Sequence, residues 1–228
     1  MNYKFADTVF NITLLDDRIY SFFNGYETNE EAELDITITQ EMVDEAEVFG
    51  SIPMRQILLV LKYVSIYLLE NKNGILFHSS AIDVGGKGVL FTALSGTGKS
   101  THARHWVEAF GSEISYVNDD KPFARLDGDK FYVYGSPWNG KHNLSNNKKV
   151  EIAAICFLKR GEIDRVEPIT PDEAIKLFFV QTIVPEDVTL KLKLFAILDK
   201  LMKSVKLCTI YCTDSINSAK IIREGLGI

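Results

Sequence analysis

Apolar positions along the chain follow two different periods. Near the N-terminus, Leu34, Ile36 and Ile38 alternate with Asp35, Thr37 and Thr39, the period-two pattern of a half-buried strand. Residues 1–39 accordingly predict short strands, with a turn at Asn24-Gly25 and an acidic, solvated loop over 27–33. From residue 53 the period lengthens. Ile57, Leu58, Leu61, Val64, Ser65 and Leu68 recur at helical spacing, Pro53 suits a first turn and Gly74 suits an end, so the pattern predicts a helix over 53–72. Both of its faces carry apolar residues, which predicts packing between an N-terminal lobe and the core.

Strand and helix patterns then alternate to the C-terminus. Residues 74–84 read as one strand, and Gly85-Gly86 turns it into a second strand over 88–92. Ala103, Trp106, Val107 and Phe110 predict a helix over 101–110, with Gly111 as its C-terminal cap. A strand over 113–117 ends in Asn118-Asp119-Asp120. Residues 123–126 and 131–135 form a hairpin across Asp127-Gly128-Asp129, followed by a loop over 135–143. The apolar strand 150–158 turns at Arg160-Gly161, and 163–169 pairs back on it. Helices over 171–179 and 186–205, a strand over 205–213, and a last helix capped by Asp214 and carrying Ile216, Ala219, Ile221 and Ile222 complete the chain. This order predicts an α/β protein with a mixed sheet, divided into an N-terminal strand-and-helix lobe (1–73) and a core (74–228).

Candidate chemistry concentrates in the core. Between the strand 88–92 and the helix lies Ala93-Leu94-Ser95-Gly96-Thr97-Gly98-Lys99-Ser100-Thr101. Strand, glycine loop and helix in this order form a phosphate-binding loop (Walker A type), although Ala93 stands where the usual pattern has Gly. Gly96 and Gly98 let successive N–H groups face an anion, and the helix adds its unpaired N–H groups and dipole. Lys99 supplies charge for the outer phosphates, and the Ser100 hydroxyl is a ligand for Mg²⁺. Asp119 and Asp120 follow one strand later. One carboxylate can hold the metal and the other can take a proton from an attacking hydroxyl, and the sequence leaves open which does which. If the 74–92 hairpin is in register, His78 lies at the same end of the sheet. The loop Gly135-Ser136-Pro137-Trp138-Asn139-Gly140-Lys141 either closes over phosphates with Lys141 or is a surface loop anchored by its tryptophan.

Bulk properties narrow the class. The 228 residues are 46% hydrophobic and 25% charged, ordinary for a globular protein, and suit one domain with an appended lobe or two small domains. A net charge of −6 gives no electrostatic case for nucleic acid or an acidic membrane. The three cysteines show no metal spacing, and Cys208 and Cys212 share one strand face, as reduced, buried thiols do. The N-terminus carries no signal pattern, and the apolar run 57–69, broken by Lys62, is too short to span a bilayer. A cytoplasmic enzyme or regulator is the expectation.

Taken together, four ordered motifs resemble the HPr serine kinase/phosphorylase family, whose fold is shared by the nucleotide domain of ATP-dependent phosphoenolpyruvate carboxykinase. They are His78 to Ala81, Ser95 to Thr101, Asn118 to Pro122, and Gly135 to Lys141; the likeness is greatest to short, stand-alone HPr-kinase-like proteins and covers about 54–185. It implies ATP and Mg²⁺ as cofactors. By resemblance, residues 95–101 bind phosphate, Ser100, Asp119 and Asp120 serve the metal, and Asp119, Asp120, Lys99, His78 and Lys141 serve catalysis. His78 matches a histidine that ligates metal in the carboxykinases and lies near the transferred phosphate in HPr kinases. Thr101 differs from the Glu usual in HPr kinases, and the family's C-terminal glycine-rich HPr-binding signature is missing. The chain also lacks the carboxykinases' substrate domain. These differences argue against HPr as substrate and against decarboxylation. The resulting expectation is a Mg²⁺-dependent kinase acting on a hydroxyl of a peptide, protein or small molecule, with a homo-oligomer as an option because HPr kinases form hexamers. The alternative is a non-catalytic nucleotide sensor or scaffold. A transporter ATPase is disfavoured because no Ser-Gly-Gly-Gln signature occurs. ATP, GTP and pyrophosphate all remain open as donors.

Overall fold

A computed structural model describes residues 1–47 and 50–228. The N-terminal segment forms β1 (Asn2–Phe5), β2 (Thr8–Thr13) and β3 (Leu34–Thr37), which make a small sheet in that order. β1 and β2 are antiparallel and β3 runs parallel to β2. A 3₁₀ turn, Asp17–Phe23, and a six-residue helix α1 (Gln40–Glu45) also occur here. The sequence pattern missed both, because neither is long enough for the helical period to recur over a diagnostic window of about 11–18 residues.

Helix α2 (Ile52–Lys72) runs as expected, but Asn73 rather than Gly74 takes the left-handed cap conformation at φ 49°, its N–H bonding to Leu68 O. The helix has 21 residues and a mean hydropathy of 1.4 over its most apolar window, long and apolar enough by composition to cross a membrane. Half of that window is buried inside the protein. Val60, Leu61, Val64 and Leu68 join Phe5, Phe10, Ile12, Phe23 and Ile36 in one core cluster, which extends to Leu76, Phe123, Tyr134 and Trp138 beyond residue 73. Leu69 belongs to the next cluster. The helix is therefore the slab between the small sheet and the large one.

The large sheet contains nine strands among the described residues. These are β4 (Gly74–Leu76), β5 (Ser80–Val84), β6 (Lys87–Thr92), β7 (Ile114–Asn118), β8 (Phe123–Asp127), β9 (Lys130–Tyr134), β10 (Lys149–Arg160), β11 (Arg165–Pro168) and β12 (Lys206–Cys212). Its main path runs β4-β8-β9-β10-β6-β5-β7, and β12 branches from β10 and carries β11. β10 pairs antiparallel with β9 through Lys149–Glu151, then parallel with β6, and parallel with β12 from Ala154 onward. Helices α3 (Lys99–Phe110) and α6 (Ile216–Leu226) cover one face, where Ala103, Trp106, Ala219 and Ile222 meet β6, β10 and β12. Helices α4 (Pro171–Gln181) and α5 (Val188–Ser204) cover the other through Phe178, Leu194, Leu198 and Leu201. The protein is thus a mixed α/β fold with a small N-terminal sheet.

Three expectations need correction. The 74–84 strand breaks at Phe77–Ser79, because the backbone N–H groups there bond to Pro122, Gln181 and Asp120 instead of to a neighbouring strand. β4 then pairs with β8, while β5 pairs with β6 and β7. The 163–169 segment does not return onto β10. Its short polar strand β11 pairs antiparallel with β12, whose buried Cys208, Ile210 and Cys212 claim the place beside β10. A charged strand ending in proline belongs at an edge. Finally, Ser215 and not Asp214 caps α6, its side chain accepting from Asn217 N–H.

Trp138 joins the parts. Its ring meets Phe5, Phe22, Phe23 and Phe123 at centroid distances of 5.6–6.2 Å, and its Nε1–H donates to Ile57 O at 3.1 Å. Trp138→Ala should destabilise the protein by about 3–5 kcal/mol, the usual cost of emptying a buried aromatic site. That lowers the melting temperature by about 10 °C for a chain of this size, which thermal denaturation followed by circular dichroism will read.

Candidate functional site

Strand direction brings the candidate residues together. β6 and β10 are parallel, β5 is antiparallel to β6, and β7 is antiparallel to β5. The C-terminal ends of β6, β7 and β10 therefore lie at one edge of the sheet, beside the N-terminal end of β5. Ligands in open α/β sheets favour that edge. The glycine loop follows β6, Asp119 and Asp120 follow β7, Arg160 ends β10, and His78 to Ser80 leads into β5.

These residues line one cleft of about 1080 Å³. His78, Ser95, Gly96, Gly98, Lys99, Ser100, Thr101, Asp119, Asp120 and Lys141 all border it. Thr97 does not; it faces the neighbouring cavities. Gly96 and Gly98 adopt φ 77° and 122°, values a side chain would oppose. The helix begins at Lys99, two residues earlier than expected, so its free N–H groups open directly into the loop. Lys99 is 8% exposed and its ammonium donates to Ala93 O at 3.1 Å. Burial pushes the Lys99 pKa below its ordinary value, with Asp120 and Asp119 partly opposing.

Asn118 sets the aspartate pair. Its side chain is fully buried, and its Oδ1 accepts from both the Asp120 and Lys121 N–H groups at 2.8 Å. Its Nδ2 donates to Ser136 O at 2.9 Å. The turn sends the two carboxylates into different surroundings. Asp119 Oδ1 accepts from the Ser80 hydroxyl at 2.6 Å. Burial raises the Asp119 pKa, and hydroxyl bonds from Ser80 and Ser100 only partly offset this. Asp120 lies 3.2 Å from His78 Nε2 and 2.6 Å from Lys121 Nζ. Burial would raise its pKa too, but the His78 and Lys121 partners outweigh that effect and hold it below the ordinary carboxylate range. His78 is anchored by its backbone, whose N–H donates to Gln181 O and whose carbonyl accepts from Thr92 Oγ1.

Lys141 is exposed, in the 3₁₀ turn Gly140–His142 at the cleft mouth. Gly135, which opens this loop, has no room for a side chain: a Cβ there would fall 1.9 Å from Asn146 O.

Sequence reasoning missed Arg160, Ser80 and Lys121. Arg160 donates from Nε to Thr97 O at 3.0 Å and from an Nη to Gly96 O at 2.8 Å, tying the loop to β10. The expected hairpin at Arg160-Gly161 concealed this role. Reading 150–158 as a parallel neighbour of 88–92 would have exposed it. Ser80 lay within the His-Ser-Ser-Ala motif and Lys121 within the Asn-Asp-Asp-Lys-Pro motif, but nothing local marked their side chains.

Among the described residues, no group of three or more His, Cys, Asp and Glu side chains is arranged to hold a metal ion. Mg²⁺ needs less, because it keeps waters and takes only one or two protein ligands beside phosphate oxygens. The Ser100 hydroxyl and the Asp119 carboxylate, which both border the cleft, fit that requirement as hard oxygen donors.

The fold and cleft define a mixed α/β protein with a strand–glycine loop–helix unit facing a pair of carboxylates. No family model and no curated relative matches the chain. Among solved structures it is distantly similar to the Hpr(Ser) kinase/phosphatase from Coxiella burnetii, at 13% identity and a TM-score of 0.35, over 67% of this chain and 93% of that one.

The raised pKa of Asp119 has a consequence for stability. A carboxyl group held above its unfolded value favours the folded state below the unfolded pKa, and that contribution is lost as pH rises through the folded pKa. At neutral pH the charged Asp119 therefore costs stability. Asp119→Asn keeps the acceptor for Ser80 and removes the charge. It should raise the melting temperature at pH 7, and the gain should vanish below about pH 4, near the ordinary carboxyl value. Thermal melts of both proteins between pH 3.5 and 8 will measure it; a variant less stable than wild type at pH 7 contradicts the assignment.

Proposed function

We propose that the chain is a Mg²⁺-dependent kinase that moves a nucleotide phosphoryl group to a hydroxyl of a peptide, protein or small molecule. The observation that carries this reading is the single cleft that Lys99 and Ser100 share with Asp119, Asp120 and His78. A cationic glycine loop and a low-pKa carboxylate across one cavity are the two halves of phosphoryl transfer.

In this reading the loop N–H groups and Lys99 bind the donor phosphates. Ser100 and Asp119 would hold Mg²⁺, which when bound supplies neutralising charge to the phosphate oxygens. Asp120 is the base. Its partners keep it ionised at neutral pH, and His78 fixes the direction of its Oδ1. The acceptor oxygen attacks the terminal phosphorus, its proton passes to a carboxylate oxygen of Asp120, and the bond to the leaving phosphate oxygen breaks. Lys99 stabilises charge on the transferred group, and Lys141, on its exposed turn, can add a second cation. Arg160 positions the loop by holding its carbonyls outward, which leaves the N–H groups free for the anion.

Lys99→Ala should reduce turnover by at least about 10²-fold, the effect of removing one preorganised charge-stabilising group. Asp120→Asn should abolish transfer and leave nucleotide affinity within a few-fold, whereas Asp119→Asn should weaken both. Phosphoryl transfer from ATP, GTP or pyrophosphate to a panel of hydroxyl acceptors, peptides first, supplies the assay. Near wild-type turnover in Lys99→Ala would refute the reading, and nucleotide binding without transfer to any acceptor would favour a sensor.

A further inference from the structure

A second cavity, of about 310 Å³, flanks the glycine loop on the side away from the aspartates. The sheet order explains the division: β5 and β7 lie on one side of β6, while β10 and β12 lie on the other. The cavity is bordered by Gly98, Thr101, His105, Arg160, Thr213 and Asp214. Three of these, Gly98, Thr101 and Arg160, also border the larger cleft, so the two spaces meet at the first turn of α3.

That junction decides which end of a donor lies where. The reacting end of a phosphate chain must face Lys99 and Asp120. Gly98 and Thr101 border both spaces, so one route out for whatever carries the chain is the mouth of the second cavity. The carboxyl ends of the parallel strands β6, β10 and β12 converge there, an edge where α/β sheets seat ligands. At about 310 Å³ the space falls at the lower end of the small-molecule range.

Two histidines of helix α3 border the cavity. His102 and His105 are 3% and 8% exposed, and the Nδ1 atom of each is enclosed with no hydrogen-bond partner among the described residues. Both Nδ1 atoms are closed off from the cavity, so the polar groups on this wall that border it and can meet a ligand are His105 Nε2 and the Asp214 carboxylate. His102 is held in place, because its Nε2 accepts from Trp106 Nε1–H at 3.1 Å. His105 is freer: its Nε2 lies 3.7 Å from Oδ1 of Asp214, whose carboxylate is 87% exposed. Asp214 stands where the sequence led us to expect a helix cap; with Ser215 doing that work, its carboxylate is left available.

Resting on the kinase reading above, we infer that this cavity receives the nucleoside of the donor, with Asp214 and His105 bonding the edge of the base. The donor is then a nucleoside triphosphate and not inorganic pyrophosphate. An amino-bearing base suits the Asp214 carboxylate, which only accepts hydrogen bonds.

Calorimetric titration tests this with Mg²⁺-ATP, Mg²⁺-GTP and Mg²⁺-pyrophosphate against wild type, His105→Ala, Asp214→Ala and Arg104→Ala. Asp214 is a surface residue, so Asp214→Ala keeps the test open if His105→Ala misfolds. The expected result is at least about tenfold weaker nucleotide binding in Asp214→Ala, the size of one lost hydrogen bond to a charged group, with pyrophosphate affinity unchanged within twofold. Unchanged nucleotide affinity in Asp214→Ala and His105→Ala overturns the inference. So does an equal loss for pyrophosphate, or a loss confined to Arg104→Ala: Arg104 and Tyr116 border the larger cleft and not the second cavity, so that result would seat the nucleoside there. Wild type that binds pyrophosphate but no nucleotide sinks the inference together with the nucleotide donor, and leaves phosphoryl transfer from pyrophosphate standing. Wild type that binds none of the three ligands sinks the kinase reading with it.

Discussion

The pairing of β10 governs the placement of everything else at the sheet edge. One edge of this strand is taken by β6; along the other, β9 gives way to β12. Because β6 and β12 both run parallel to it, three C-terminal ends open toward the same space. Parallel strands need crossovers, and helices α3 and α6 on one face and α4 and α5 on the other supply the covering that an apolar parallel region requires. The glycine loop takes positive φ angles that only glycine accepts without strain, and it is braced at both ends: Lys99 reaches back to Ala93, and Arg160 crosses from β10 to Gly96 and Thr97. A loop held this way would spend little ordering entropy on the anion that the proposed function assigns to it.

Asn118 does for the carboxylates what Arg160 does for the loop. Two adjacent aspartates would repel if they shared one environment. The Asn118 side chain closes a tight turn that points them apart, one toward serine hydroxyls and one toward His78 and Lys121. Environment then separates their pKa values in opposite directions. Paired titratable groups divided in this way can take different roles in one reaction. The sequence could not divide them, since Asp119 and Asp120 are identical in type and adjacent in position.

What was legible in the chain was whatever is decided locally. Gly96, Gly98, Lys99 and Ser100 announce a turn and a helix start by their own conformational preferences, and α2 announces itself by period. The grouping of His78 with the loop and the aspartates was also anticipated, by a hairpin that forms between Ser80–Val84 and Lys87–Thr92 but does not continue back through 74–79. Phe77 to Ser79 looks like strand because Ile75, Leu76 and Phe77 are apolar; only the distant carbonyls of Pro122, Gln181 and Asp120 reveal where its N–H groups bond. Arg160 was illegible for the same reason, since its function depends on a parallel register between strands some sixty residues apart. Asp214 and Ser215 are both good caps, and no local rule chooses between neighbours of similar propensity.

The loop from Gly135 to Asn147 shows how the N-terminal lobe reaches the site without lining it. One flank of this loop carries Gly140, Lys141 and His142 to the cleft. The other flank, with Pro137, Asn139 and Asn143, borders a cavity of about 940 Å³ shared with Asp16, Ile19 and Tyr26 of the lobe. Between the two flanks, Trp138 is pinned in the aromatic cluster, Tyr26 bonds Ser145, and Lys121 N–H donates to Trp138 O next to Asp120. Interiors packed at this density transmit displacement instead of absorbing it. The Trp138 bonds to Ile57 and Lys121 therefore tie α2 to the turn that carries Lys141 and to the peptide group that follows Asp120.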